Sequence, residues 1–290
     1  MDPISALLLA TSATFASVRN MLTKSFSGFC IKSREFFGIQ AAVFGAGSII
    51  LTVVCLFDFK GIAPLTVLLA LIYGAMLLCA QWFYTIALTT GKTAICTTIY
   101  SFGFVLPTLS GVLFWNESIS VFGILGILTV IPVLIISGLG SKKAEGKESS
   151  KGYIIPLIIA LLCSGGLGIV QKIQQTSEFK DQKSIFILIA FLFSFLVSLI
   201  FFLCKKPGEK KISKRNLCFC SIAGSFFAIN NLLNTHLAGV LDSAIFFPAI
   251  NIGVILISVV LGLIVYKERL ALKDILVLCL GAAAIVLVNF

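Results

Sequence analysis

The sequence predicts an all-α integral membrane protein of about ten transmembrane helices, arranged as two five-helix inverted repeats. Three observations lead there. Of the 290 residues, 59% are hydrophobic and 12% charged, and the mean hydropathy is +1.10. A soluble domain carries roughly 25% charged residues, and it has no place to hide so much apolar surface. The apolar residues come in continuous runs, where a membrane barrel would alternate, so helices are the form that satisfies the backbone in lipid. The two halves of the chain also align on each other.

A helical span takes roughly 20 apolar residues. The expected spans are Ile4–Leu22, Phe37–Phe57, Ala63–Thr89, Thr93–Trp115 and Ile119–Leu139, then Tyr153–Ile173, Ser184–Cys204, Leu217–Leu237, Ser243–Tyr266 and Leu270–Phe290. The first run follows Met1-Asp2-Pro3, which has no basic residue, and it lacks a cleavage site. It is read as a span and not as a signal peptide. The polar linker 141–152 separates a first repeat, 1–140, from a second, 153–290.

No Asp or Glu lies at the centre of a span, as expected where a mid-membrane charge costs several kcal/mol. The net charge of +10 sits between the apolar runs, where it anchors loops to anionic headgroups. No nucleic-acid partner is expected. The nine cysteines fall mostly inside apolar runs and read as small hydrophobes, not as a disulfide framework or a metal site. Nearly all basic residues lie in the odd-numbered loops; the even-numbered ones hold Lys60, Lys172, Lys180 and Lys183. By the positive-inside rule both termini are then outside the cytoplasm.

The repeat runs at an offset of 150 residues. Tyr84–Ile95 lies over Asn234–Ile245, Thr93-Ala94-Ile95 matches Ser243-Ala244-Ile245, and Gly103 matches Gly253. One inserted residue later, Gly111–Glu117 matches Gly262–Glu268; near the starts of the halves, Ser12–Asn20 resembles Ser164–Lys172. Five is odd, so the second half enters the membrane from the opposite side. Inverted repeats of this kind recur in secondary transporters with a site near the midplane.

With these blocks in view, the chain resembles the drug/metabolite transporter superfamily in its ten-helix EamA-like branch. The G-x5-E blocks that close the fourth and ninth spans carry the likeness, together with Pro107 and Pro248. The resemblance implies a small-molecule permease, often an exporter. It implies a central cavity lined by the first, third, fourth, sixth, eighth and ninth helices, and termini in the cytoplasm, against the charge count. Small multidrug-resistance relatives use an acid in the first helix. Here Ala6–Asn20 has none, so cation export by that route is not expected.

The expected substrate-binding residues are polar and mid-span. Gln81 and Tyr84, one turn apart on the third helix, fall on Asn231 and Asn234 of the eighth; Ser101 falls on Asn251, with Tyr100 adjacent. Amides facing lipid are costly, so they belong on protein or water. Interhelical hydrogen bonding, worth about 0.6 kcal/mol on average, is the plainer role. Their coincidence in the two halves favours a cavity lining. Pro107 and Pro248 break the helical ladder and are expected to kink or hinge their spans. Glu117 and Glu268 sit at span ends, where a carboxylate satisfies free helix N–H groups. Small residues in the first span (Ser12, Ala13, Ala16, Ser17) and the sixth (Ser164, Gly165, Gly166, Gly168) point to close packing. Arg19 ends the first span, in line with Gln171. It is read as reaching for headgroups, with a substrate carboxylate as the other reading.

The expected function is a secondary transporter and exporter in the cell membrane, moving a small neutral or zwitterionic organic metabolite by alternating access through a central cavity. The alternatives are a lipid-carrier flippase of the same superfamily and an integral-membrane enzyme. The sequence offers one histidine and no cluster of acids or metal ligands for catalysis, so neither catalytic residues, a metal nor a cofactor is expected. The partners are the solute and membrane lipids, with a homodimer as an open assembly state.

Overall fold

The computed structural model describes residues 1–26, 33–90, 96, 99–139, 153–204, 214–266 and 272–288. The linker 141–152 and Glu268 lie outside them. Every regular element among the described residues is helical: α1 (Pro3–Phe26), α2 (Ser33–Phe57), α3 (Pro64–Thr90), α4 (Val105–Trp115), α5 (Val121–Leu139), α6 (Ile154–Thr176), α7 (Lys183–Cys204), α8 (Lys214–Val240), α9 (Ser243–Tyr266) and α10 (Leu272–Val288). Among the described residues, five stretches are long and apolar enough to cross a membrane: Arg34–Phe57, Pro64–Leu88, Ile154–Thr176, Lys180–Cys204 and Arg215–Val240. Ile99–Trp115, Val121–Val133 and Ser243–Ser258 are shorter apolar helices. The chain therefore fits a membrane protein. Its surface agrees: Leu7, Leu56, Phe57, Phe114, Ile155 and Leu203 point outward, while Gln171, Gln174, Asn231 and Thr235 are buried. Large apolar side chains exposed in such number suit a lipid surround.

The helix ends follow local chemistry. α1 starts with Pro3 in its first turn, where a missing N–H costs nothing, and Asp2 Oδ2 accepts the Ser5 N–H at 3.0 Å. The Ser5 hydroxyl and N–H hold the Asp2 carboxyl below its ordinary pKa. Ser120 caps α5, its Oγ accepting the Gly123 N–H at 2.9 Å. The fourth span tightens to a 3-10 turn over Phe102–Phe104 before α4 begins. Pro107 explains the change, because it has no N–H to give the carbonyl four residues back and its ring crowds that carbonyl. Pro248 lies inside α9, and so does Pro132 inside α5, a position the sequence reading did not single out.

Close contacts group the residues into two compact units, one of 1–14, 79–169 and 240–290, the other of 15–78 and 170–239. Each draws helices from both halves of the sequence.

In the first unit α4 packs on α9, α5 on α10, and α9 on α10. Small residues set the spacing. A Cβ at Gly165 would lie 2.6 Å from the Gly103 carbonyl oxygen, and one at Gly168 would lie 2.8 Å from the Pro107 ring and 2.7 Å from Phe247. The glycines of α6 thus admit the Gly103–Pro107 segment to close contact. Gly253 of α9 faces Ala13 of α1 in the same way, at 3.2 Å.

In the second unit α2 and α7 run antiparallel. Phe37 stacks on Phe201 (4.9 Å between centroids), Phe44 meets Phe191 edge-on (5.3 Å), and Gly45 faces the Phe195 ring. Two glycines let neighbouring helices touch backbone to backbone. A Cβ at Gly74 of α3 would lie 2.6 Å from the Ala190 carbonyl oxygen of α7, and one at Gly224 of α8 would collide with the Val43 carbonyl oxygen of α2. Ser194 Oγ donates to the Gly74 carbonyl at 3.0 Å, a contact that a bulkier residue at 74 would push apart. Gln182, in the turn before α7, ties two connections together. Its Oε1 accepts from the Ala63 N–H (2.9 Å) and the Thr66 hydroxyl (2.7 Å), satisfying the open N-terminal end of α3.

Candidate functional site

The second unit holds a buried polar network. Tyr73 interrupts an apolar run on α3, and a buried phenol hydroxyl needs partners. It donates to Asn231 Oδ1 of α8 at 2.6 Å and accepts from Gln171 Nε2 of α6 at 2.9 Å. Gln171 Nε2 also donates to Thr235 Oγ1 at 3.0 Å. Asn231 Nδ2 donates to the Phe227 carbonyl at 2.8 Å, and Thr235 Oγ1 to the Asn231 carbonyl at 2.8 Å. All four side chains are buried, from Thr235 at 0% exposure to Asn231 and Gln171 at 5%. Three helices are thereby pinned through amides and hydroxyls, with no charge in the network itself. Leaving one such buried group without a partner costs about 1–3 kcal/mol.

Arg19 of α1 adds a charge beside it. Its guanidinium carbon lies 3.7 Å from the centroid of the Phe227 ring, and that ring is 4% exposed. The sequence reading sent Arg19 to the headgroups. The structure turns it onto a core aromatic, whose electron-rich face attracts a cation. Near the end of α8, His236 Nδ1 lies 3.4 Å from Lys183 Nζ. Asn230 is as buried as Asn231.

Of the expected binding residues, Asn231 joins this network, and Asn234, one turn further along α8, is half-buried. Gln81, Tyr84, Tyr100, Ser101 and Asn251 belong to the first unit, and all five are half-buried. Tyr84 and Tyr100 stack at 4.4 Å and pack against a small core of Ala87, Cys96 and Leu157. Asn251 Nδ2 folds back onto the Phe247 carbonyl at 2.8 Å. Thr85 Oγ1 donates to the Gln81 carbonyl at 2.8 Å, the same bond that Thr235 makes to Asn231 at the matching place in the second half.

Sequence reasoning missed Tyr73 and Thr235, and it named Gln171 only as the counterpart of Arg19. The available signal was Tyr73 itself, a lone phenol in the run Leu65–Leu78.

The G-x5-E block has a structural use. α4 ends where Asn116 takes a left-handed backbone (φ 53), and the Asn116 and Glu117 N–H groups both turn back to the Gly111 carbonyl. Asn tolerates that conformation better than most residues. The turn aims the Glu117 carboxylate at the start of α9, where Oε2 accepts the Ser243 N–H at 2.7 Å and Oε1 the Ser243 hydroxyl at 3.3 Å. A Cβ at Gly111 would strike the Glu117 carboxylate and lie 2.7 Å from Ser243 Cβ, so the glycine makes room for the clamp. Glu117 therefore caps a helix from the other half of the chain, taking an N–H that is otherwise unsatisfied and sitting at the positive end of the helix dipole. We expect Glu117→Ala to cost about 1–2 kcal/mol, read as an earlier midpoint in denaturant titration of the detergent-solubilised protein. Glu117→Gln, which keeps an accepting oxygen, should cost less. Equal losses would show that the carboxylate's acceptor role is not what matters.

The chain matches no known protein-family profile, and no curated protein is similar to it by sequence. A crystal structure of another protein is similar in fold, with a TM-score of 0.76 at 13% identity, covering 99% of this chain and 96% of that one. At that identity the likeness speaks for the fold alone.

Proposed function

We propose that this chain is a multi-pass secondary transporter of the cell membrane that exports a small neutral or zwitterionic organic metabolite by alternating access between two inverted five-helix repeats. The observation that carries the reading is that equivalent positions of the two halves make equivalent contacts. Gly74 and Gly224 stand 150 residues apart. Gly74 of α3 meets the backbone of α7, and Gly224 of α8 meets the backbone of α2. Thr85 and Thr235, at the same offset, make the same bond to Gln81 and Asn231. The equivalent helices α2 and α7 run antiparallel, as inversion requires. Inverted repeats in membranes belong above all to secondary transporters, which bind substrate between the repeats near mid-membrane. The Tyr73–Gln171–Asn231–Thr235 network is built of amides and hydroxyls with no charge, in keeping with an uncharged polar group on the solute. The direction of transport follows the resemblance to EamA-like permeases.

The test is uptake into proteoliposomes that contain the purified full chain. Amino acids and related metabolites are offered in one arm, a lipid-linked sugar in the other. Time-dependent accumulation of a metabolite supports the reading, and movement of the lipid-linked sugar alone would replace it with a flippase. Orientation is decided separately by labelling a cysteine at Ser149 in a background free of accessible native cysteines. The basic loops predict that it is reached only from the cytoplasm. Labelling from outside would reverse the orientation and favour the termini in the cytoplasm.

A further inference from the structure

We propose that the contact between α2 and α7 is a gate: closing it strands the polar side chains of Gln40, Ser48 and Ser198, and parting it gives them water. Its place in a transport cycle rests on the transport reading above.

Inside an apolar helix, the usual partner of a hydroxyl is the carbonyl three or four residues back. Thr52, Thr85, Thr108, Ser194, Ser221 and Ser225 all make that bond. Ser48 and Ser198 do not. Ser198 is fully buried and Ser48 is 5% exposed, yet neither hydroxyl oxygen has a hydrogen-bond partner. Gln40 Oε1 is buried and unpartnered in the same way, and Glu35 Oε2, in the first turn of α2, is the fourth such atom. Among the described residues all four lie on α2 or α7.

Three of them fall within one helix contact. Phe37 stacks on Phe201, and ten residues further along α2 a Cβ at Gly47 would lie 2.7 Å from the Phe191 ring. Between those two contacts the antiparallel helices bring residue 198 level with residue 40. Ser198 is three residues from both Phe195 and Phe201 and shares their face. Ser48 is one turn beyond Phe44, which meets Phe191 edge-on. The polar groups thus lie among phenylalanine rings and glycines.

Two opposing effects act there. Ring packing and the close approaches at Gly45 and Gly47 hold the helices together and keep the contact dry. Each buried polar atom without a partner raises the free energy of that closed state by its lost hydration. When the helices part by the width of a water, packing is lost and three hydrogen-bonding groups regain partners. The contact is therefore weaker than its apolar area implies, as a moving element requires.

The repeat supports a role in motion. Ser48 and Ser198 stand 150 residues apart, the offset that relates Gly74 to Gly224. The stranded hydroxyl recurs at the same place in each half. Since α2 belongs to the first half and α7 to the second, movement of one half against the other passes through their contact. The polar load along it is uneven. Gln40 falls on Ala190 in the repeat, so the level of Gln40 and Ser198 carries two stranded groups and the level of Ser48 carries one. The helices are expected to part first at the Gln40–Ser198 level, toward the start of α2.

The experiment compares variants of the detergent-purified full chain by thermal unfolding and by hydrogen exchange of the α2 and α7 amides. Ser48→Ala and Ser198→Ala remove little but the hydroxyl. Each is expected to raise the Tm by about 2 °C or more and to slow exchange on both helices about fivefold. Gln40→Leu, of similar size, should act like Ser198→Ala. Ser194→Ala is the control one turn away. Its hydroxyl is bonded to the Gly74 and Ala190 carbonyls, so its loss should lower the Tm. In proteoliposomes the Ser48→Ala, Ser198→Ala double variant should take up solute about fivefold more slowly than wild type, because opening then costs more. The proposal is overturned if Ser48→Ala and Ser198→Ala lower the Tm, as they would if a bound water or cation satisfied the hydroxyls, or if they leave it unchanged. It is equally overturned if Ser194→Ala raises the Tm as they do, if exchange does not slow, or if a stabilised double variant takes up solute as fast as wild type. Stabilisation with slower exchange, in a chain whose wild type takes up no solute, overturns the transport reading and supports the stranded contact.

Discussion

Gly224→Ala is expected to be among the most destabilising single substitutions in the chain, and Gly74→Ala to be close behind it. At Gly224 the new Cβ meets the Val43 carbonyl oxygen and lies 2.9 Å from Val43 C and 3.0 Å from Val43 Cα. At Gly74 it lies 2.6 Å from the Ala190 carbonyl oxygen and 3.3 Å from its carbon. These are backbone atoms inside helices, so no rotamer change relieves the contact and the helices themselves must separate. Separation of α8 from α2 loosens the Phe44, Phe191 and Phe227 cluster; separation of α3 from α7 stretches the Ser194 bond to Gly74. Overpacking of this kind costs about 1–3 kcal/mol and occasionally more. Gly45→Ala is the internal control. Its Cβ meets only the edge of the Phe195 ring, at 3.1 Å, and a ring can turn, so the loss should stay below about 1 kcal/mol. Denaturant titration in micelles ranks the three. A Gly224→Ala protein as stable as wild type, or a Gly45→Ala protein as damaged as Gly224→Ala, would show that backbone contact does not set these helix spacings.

The helices were legible because lipid imposes a simple rule: a run long and apolar enough becomes a helix. The expected third span, Ala63–Thr89, and the observed α3, Pro64–Thr90, differ by one residue at each end. The fourth span was less regular than its hydropathy implied. Pro107 was noticed, but the tightening over Phe102–Phe104 comes from its effect on the turn before it. Packing by small residues was legible in part. Gly165 and Gly168 were named in advance and do sit at close approaches, whereas Gly74 and Gly224 were not, since a lone glycine in an apolar run says nothing of what lies opposite.

The polar residues were the harder part. Spacing picked out Asn231 correctly as an inward residue but could not supply its partner, because Tyr73 is 158 residues away. The same holds for Glu117. Its position at a span end suggested a cap, and only the structure reveals that the capped helix is α9. Local sequence carries local preferences, while a hydrogen bond between helices depends on which helices become neighbours. The repeat was the one long-range signal in the sequence, and it pairs Gln81 with Asn231 and Arg19 with Gln171 as an expectation.

Asn231→Leu is expected to separate the two roles of the buried network, and it carries the second large effect. Leucine fills nearly the same space and suits an apolar helix, so the bundle should still assemble. Tyr73 then loses its acceptor, Asn231 Oδ1, while Gln171 still donates to it. The stability loss should be about 1–3 kcal/mol, the cost of one buried polar group left without a partner. Tyr73→Phe should cost at least as much, because it strands both Asn231 Oδ1 and one Gln171 N–H. Removing both partners takes away the Tyr73–Asn231 pair together, leaving only the Gln171 N–H that Tyr73 accepted without its partner, so the double variant should be more stable than the sum of the single losses by about 1 kcal/mol. If the network also binds solute, transport in proteoliposomes should not track this recovery. The double variant should regain stability and still take up solute at least about tenfold more slowly than wild type, one lost substrate hydrogen bond being worth about that factor. Gln81→Leu, at the equivalent place in the first half, should slow uptake as well. Normal uptake by Asn231→Leu and Gln81→Leu would reduce these amides to helix fasteners and place substrate recognition elsewhere. Recovery of both stability and uptake in the double variant would say the same of Tyr73. A folded protein with slow uptake is the one outcome that a purely structural network does not produce.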